Sequence, residues 1–141
     1  MTVANLHHVS LRVQDPERSR RFYEDVLQLS FMKLPVGEET AGIWRGNPKE
    51  GTMLATQAGD TFVIFAPPLE GTPADDRFSE YRIGVDHLAF GVDDRATLDA
   101  LVDRLRAAGI DTAGVEVDPV LSKEYVCFRD PDNVQWEFYS R

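Results

Sequence analysis

The stretch Leu6-His7-His8-Val9-Ser10-Leu11-Arg12-Val13-Gln14-Asp15-Pro16-Glu17 decides the fold, because its plan occurs twice. Val9, Leu11 and Val13 alternate with His8, Ser10 and Arg12, the pattern of a strand with one buried face. Asp15 then suits a helix N-cap, Pro16 the first helical turn and Glu17 the positive end of the helix dipole. Phe22, Val26 and Leu27 continue a helical stripe to about Gln28. The second half opens alike with Val85-Asp86-His87-Leu88-Ala89-Phe90-Gly91-Val92, followed by Asp93 and Asp94. Leu98, Leu101, Val102, Leu105 and Ala108 then recur at helical spacing, and Gly109 stands where a left-handed C-terminal residue belongs. A shift of 79 residues lays His8 on His87, Val13 on Val92 and Asp15 on Asp94.

Each helix is followed by strand-like runs. In the first half these are about 30–36, 40–45, 52–57 and 61–67, one of which is spare and could be a loop. In the second half they are about 114–117, 125–129 and 134–139. Residues 68–84 are rich in Pro, Gly and Asp and read as a linker between module 1 (about 4–67) and module 2 (about 85–141). The fold class is therefore α+β, two βαβββ modules. Each module alone is too small to bury its sheet, so the reading is one domain over 1–141.

Composition narrows the function. The 141 residues carry 15 basic and 24 acidic side chains, a net charge of −9, which disfavours nucleic acid as a partner. No apolar run is long enough to span a bilayer, and no signal peptide is evident at the N-terminus. The single cysteine, Cys127, excludes an intrachain disulfide and fits a reducing cytoplasm.

Strand parity nominates a site. With Val9, Leu11 and Val13 towards the helix, His8 faces the other way. The same holds for His87 against Leu88, Phe90 and Val92, and for Glu137 against Val134, Trp136 and Phe138. Two imidazoles and a carboxylate on three strands form a three-ligand set for Fe(II), Mn(II), Ni(II) or Zn(II) with open positions. His7 has the opposite parity and reads as structural. Parity does not decide whether His8 and His87 meet within one chain or across two.

These stretches, with Arg21-Phe22-Tyr23-Glu24-Asp25-Val26-Leu27 and Phe128-Arg129-Asp130-Pro131-Asp132-Asn133-Val134-Gln135-Trp136-Glu137, resemble the vicinal oxygen chelate superfamily. That superfamily includes glyoxalase I, extradiol dioxygenases, methylmalonyl-CoA epimerase, fosfomycin-resistance enzymes and bleomycin-resistance proteins. The resemblance implies a half-open mixed β-barrel around a divalent metal held by His8, His87 and Glu137, a homodimer, and a small-molecule substrate chelated through neighbouring oxygens. Many members carry a fourth ligand on the last strand of the first module. Val63 is aligned there and cannot ligate, which argues against a standard glyoxalase I or epimerase. Extradiol dioxygenases usually have a tyrosine where Cys127 stands; Tyr125, two residues earlier with the same parity, is the catalytic candidate in its place. Asn133 replaces a usual glycine. Arg12 and Tyr139 are candidates for binding substrate oxygens, and Val63, Phe65 and Cys127 for lining the pocket. Trp44 and Met53 read as core. The alternatives are a metal-independent, antibiotic-binding dimer of the bleomycin-resistance type, and a fosfomycin-modifying transferase. The latter has little phosphonate-binding charge beyond Arg12 and Lys123.

Overall fold

The computed structural model describes Thr2, residues 5–34 and residues 53–141, arranged as two compact units, 1–76 and 77–141. In the first, β1 (His8–Arg12) leads into α1 (Pro16–Leu27), then β2 (Met32–Leu34), β3 (Met53–Ala58) and β4 (Thr61–Ala66). In the second, β5 (Leu88–Val92) leads into α2 (Arg95–Ala107), then β6 (Val115–Val117), β7 (Glu124–Arg129) and β8 (Gln135–Ser140). Both sheets have the same order, β1-β4-β3-β2 and β5-β8-β7-β6, with the first strand of each parallel to the last. Each unit is thus βαβββ. The expected run at 40–45, with Trp44, lies outside the described residues.

The helix boundaries follow from side-chain chemistry. Asp15 accepts the backbone N–H groups of Glu17 and Arg18, with Pro16 opening α1. The left-handed Gln28 (φ 56°) ends it. Asp94 caps α2 by accepting the N–H of Thr97 at 2.9 Å. Gly109 adopts φ 71°, and the N–H of Ile110 returns to the Leu105 carbonyl at 2.8 Å, closing the helix end.

The Asp94 cap makes stability pH-dependent. The Thr97 N–H, then its hydroxyl, hold the Asp94 carboxyl below the ordinary 3.8. A carboxylate with a depressed folded pKa contributes its full stabilisation above the unfolded value, and loses it as pH falls through the folded value. Asp94→Ala is predicted to melt earlier than wild type at pH 7, with the gap closing below about pH 3.8. Thermal melts across pH check this; a gap that persists unchanged to pH 2 would refute it.

Each sheet buries one face against its helix. In the first unit Phe65 is fully buried and stacks on Tyr23 of α1, ring centroids 4.7 Å apart. In the second, Leu98, Leu101 and Leu105 of α2 are buried, as are Val126, Phe128 and Trp136 of the sheet. Phe90, on the same face, stacks on Trp136 at 5.4 Å. Such aromatic pairs add roughly 0.5–1.5 kcal/mol beyond their buried area.

Two expectations need correction. First, Val63 and Phe65 are not on the open face. β4 runs parallel to β1 with Val9 opposite Val63 and Leu11 opposite Phe65, so both share the helix-side face with those residues. Ile64, opposite Ser10, faces the way His8 does. In the second unit Glu137 lies opposite Ala89, two residues after His87, and Ser10 is two residues after His8. Ile64 therefore holds the repeat-related place of Glu137. The expected alignment was off by one, which on a strand reverses every side chain. Ile64 is no more able to ligate than Val63. Second, the strand expected from Val85 begins at Leu88, so His87 stands just ahead of β5. Within residues 68–84, Pro73 and Asp76 are bonded in the first unit, and Arg77 and Phe78 in the second. Gln14 donates to the carbonyls of Pro73 and Asp76 in the first unit. In the second, Arg77 donates to the carbonyl of Pro131, and the Phe78 N–H to that of Asp132.

Candidate functional site

In the second unit, the face turned away from α2 carries the polar groups. β8 places Gln135, Glu137 and Tyr139 there by its period of two. Across the antiparallel register, Arg129 lies opposite Gln135, Cys127 opposite Glu137 and Tyr125 opposite Tyr139. The Asp130–Asn133 turn joins β7 to β8. Asp130, itself buried, accepts the N–H groups of Asp132 and Val134 at 2.9 and 2.8 Å. Asn133 takes φ 69°, the left-handed conformation in which asparagine can replace glycine, and its side chain donates to the Phe78 carbonyl at 2.9 Å.

Glu137 is 7% exposed and sits at the centre of this face. Its Oε1 accepts from Nε2 of Gln135 at 3.0 Å. Its Oε2 lies 3.0 Å from the Tyr139 hydroxyl and 3.4 Å from Nε2 of His87. On the other side of that ring, Nδ1 lies 2.6 Å from Oδ1 of Asp86. An ionised carboxylate only accepts, so beside it Nδ1 carries a proton, and whenever the ring is neutral its lone pair is on Nε2. Two lone pairs facing each other at 3.4 Å repel unless a proton or a cation lies with them. The pair therefore fits a divalent ion, with Asp86 fixing the imidazole tautomer as outer carboxylates do at metal sites.

Tyr139 is held from both sides. Its hydroxyl lies 2.8 Å from Oδ2 of Asp118, whose Oδ1 accepts the N–H groups of Val120 and Leu121. The Leu121 N–H, then the phenol and the Val120 N–H, lower the Asp118 pKa and keep it an acceptor. Burial, followed by the two carboxylates, pushes the Tyr139 pKa well up, so the phenol keeps its proton at neutral pH. Tyr125 stacks on Tyr139 with centroids 5.1 Å apart, and burial raises its pKa too. Cys127 is half-buried; burial and Glu137 raise its pKa, which makes it a thiol rather than a reactive thiolate. A cavity of about 470 Å³ adjoins these groups, lined in part by Thr112, Glu116, Tyr125, Cys127 and Arg129.

In the first unit His8 opens β1, exposed, with Nδ1 2.9 Å from Nδ1 of His7. One of those nitrogens must donate the proton between them. His7 also anchors the strand, its carbonyl accepting the Phe62 N–H. Arg12 donates to the Pro67 carbonyl at 2.9 Å. Met53 is buried in β3. Among the described residues no group of three or more His, Cys, Asp or Glu side chains is assembled that could hold a metal. Likewise, no helix among them is long and apolar enough to cross a membrane.

Sequence reasoning missed Asp86, Asp118, Arg129 and Gln135. Asp86 was within reach, since a carboxylate next to a candidate ligand histidine is a usual tautomer-fixing partner. Asp118 meets Tyr139 only because the β6–β7 loop folds back, and nothing in the local pattern signals that.

Comparison with known proteins agrees with this architecture. The chain is 30% identical to the uncharacterized protein YwkD of Bacillus subtilis, over all of both chains. It is 29% identical to the uncharacterized protein YaeR of Escherichia coli, covering 96% of this chain and 95% of that one. A glyoxylase/bleomycin resistance protein/dioxygenase domain from Frankia sp. EAN1pec superposes with TM-score 0.77 at 28% identity, over 99% of this chain and 93% of that one. A lactoylglutathione lyase from Agrobacterium tumefaciens gives TM-score 0.68 at 21% identity, over 99% and 96% of the two chains. The fosfomycin resistance protein FosX of Listeria monocytogenes gives 0.66 at 15%, over 99% and 95%. These last two share the fold. The repeated βαβββ plan, these likenesses and a family model matching residues 5–138 lead to one assignment: the chain belongs to the Glyoxalase/Bleomycin resistance protein/Dioxygenase superfamily.

Proposed function

We propose that the protein is a divalent-metal-dependent enzyme acting on a small molecule with two neighbouring oxygens, with His8, His87 and Glu137 as metal ligands. The observation that carries this is the approach of His87 Nε2 to Glu137 Oε2 at 3.4 Å, each side chain held by a second partner. His8 joins them as the residue in the repeat-related place of His87. Fe(II), Mn(II), Ni(II) and Zn(II) all suit two imidazoles and a carboxylate. When bound, the ion supplies Lewis acidity towards the substrate's oxygens.

The chain's own groups shape the rest. The Tyr139 phenol offers a fixed hydroxyl beside Glu137, and Tyr125 adds a second phenol and an aromatic wall. Cys127 contributes a compact, protonated side chain. The reaction class is that of a glyoxalase-like lyase or isomerase, or of a dioxygenase. The superfamily resemblance supports a homodimer, and the single cysteine supports a reducing cytoplasm.

Metal analysis of the purified protein tests this. Stoichiometric divalent metal is expected in the wild type and its loss in His8→Ala and His87→Ala. A wild type that binds no metal, yet holds a cationic antibiotic tightly in the presence of chelator, would replace this reading with that of a sequestering protein.

A further inference from the structure

The carboxylate of Glu137 has two oxygens, and the surrounding side chains treat them differently. Oε2 faces His87 and Tyr139; Oε1 meets Gln135 alone among the hydrogen bonds described. An amide can present either its oxygen or its NH2 group, and presenting oxygen to a carboxylate would repel it. What fixes the choice lies one strand away. Arg129, opposite Gln135 in the β7–β8 register, approaches the amide oxygen with Nη2 at 3.1 Å. Guanidinium only donates, so the amide oxygen must face Arg129 and the NH2 group must face Glu137.

Arg129 is fixed in turn. Its Nη2 lies 2.7 Å from Oε1 of Glu80 and its Nη1 3.4 Å from Oε2, while Nη1 also donates to the Asn133 carbonyl at 3.0 Å. The segment carrying Glu80 is pinned by Arg77 on Pro131 and by Asn133 on Phe78. Hydrogen bonds therefore link Glu80 to a single oxygen of Glu137 entirely within the second unit, with Arg129 donating to both Glu80 and Gln135 and Gln135 donating to Glu137.

We propose that Gln135, aligned by Arg129 and Glu80, is a positioning residue that commits Oε1 of Glu137 and reserves Oε2 as the ligating atom. This rests on the metal-binding reading above. Outer-sphere partners of this kind typically contribute 10–100-fold in metal affinity. They do so without touching the ion, by narrowing the rotations open to the ligand.

Co(II) titration of the full chain, followed by visible absorption, tests it beside thermal melts. Gln135→Met keeps the side-chain length and removes the donor. It is expected to raise the Co(II) Kd by roughly 10–100-fold and to alter the visible bands while leaving Tm near wild type. Gln135→Glu retains a partner for Arg129, which secures folding, but cannot donate to Glu137; its Kd should rise at least as far. Arg129→Met, which frees the amide to rotate, should give a smaller rise. If the wild type binds Co(II) and both Gln135 variants match its Kd and spectrum, the positioning role is overturned alone. If the wild type takes up no Co(II), the metal reading falls and this inference with it.

Discussion

Glu137→Ala is expected to strip the protein of divalent metal and to end turnover, while the chain still folds. In the proposed metal site Glu137 supplies the negative charge, 3.4 Å from His87 Nε2. Its removal leaves the Gln135 amide, the Tyr139 hydroxyl and His87 facing a small void. Losing a ligating carboxylate should exceed the roughly 10–100-fold affinity loss of an outer partner. Glu137→Gln separates charge from shape. It fills the same space and keeps a carbonyl oxygen, yet removes the anion, so it too should fail to hold metal. Metal content after gel filtration, with circular dichroism to confirm folding, reads both variants. A folded Glu137→Ala protein with its full complement of metal would remove this carboxylate from the site.

The second large effect is on stability. Asp130→Ala should cost about 2–6 kcal/mol, since each of two buried N–H groups left unanswered costs about 1–3 kcal/mol. Those groups belong to Asp132 and Val134, and the indole of Trp136 also lies 3.4 Å from Oδ2. Asp130 is only 7% exposed, so water cannot readily replace it. Asp130→Asn keeps one acceptor oxygen and should recover part of the loss. Urea unfolding of the three proteins decides the matter: a change under about 0.5 kcal/mol for alanine, the range of an ordinary surface substitution, would show that the turn does not depend on this carboxylate. The turn starts β8, so its loosening should weaken metal binding as well.

Much of this was legible because certain residues admit few conformations. Asp15 with Pro16, and Leu105 with Gly109, mark helix ends by chemistry that any helix needs. Alternation in Val9, Leu11 and Val13 set the face of His8 without ambiguity. The failure at Val63 has an equally plain cause. Phe62-Val63-Ile64-Phe65-Ala66 is apolar throughout, so it offers no alternation from which to read a face, and only pairing with β1 settles it. The hydrogen bonds at Glu137 were hidden for another reason. Its partners Gln135 and Tyr139 are held in turn by Arg129 with Glu80, and by Asp118, from a neighbouring strand, a loop and a hairpin, and side-chain meetings of that range leave no local periodicity. The docking of residues 68–84 by Gln14 and Arg77 is of the same kind.

Asn133 shows what a turn can gain by tolerating awkward geometry. Glycine would enter the φ 69° conformation at no steric cost, but it has no amide with which to reach Phe78, 55 residues back along the chain. By accepting a little discomfort locally, the chain acquires a mooring for the segment that brings Glu80 to Arg129. Backbone ease and distant order are thus alternatives at this one position, and this sequence has taken the second.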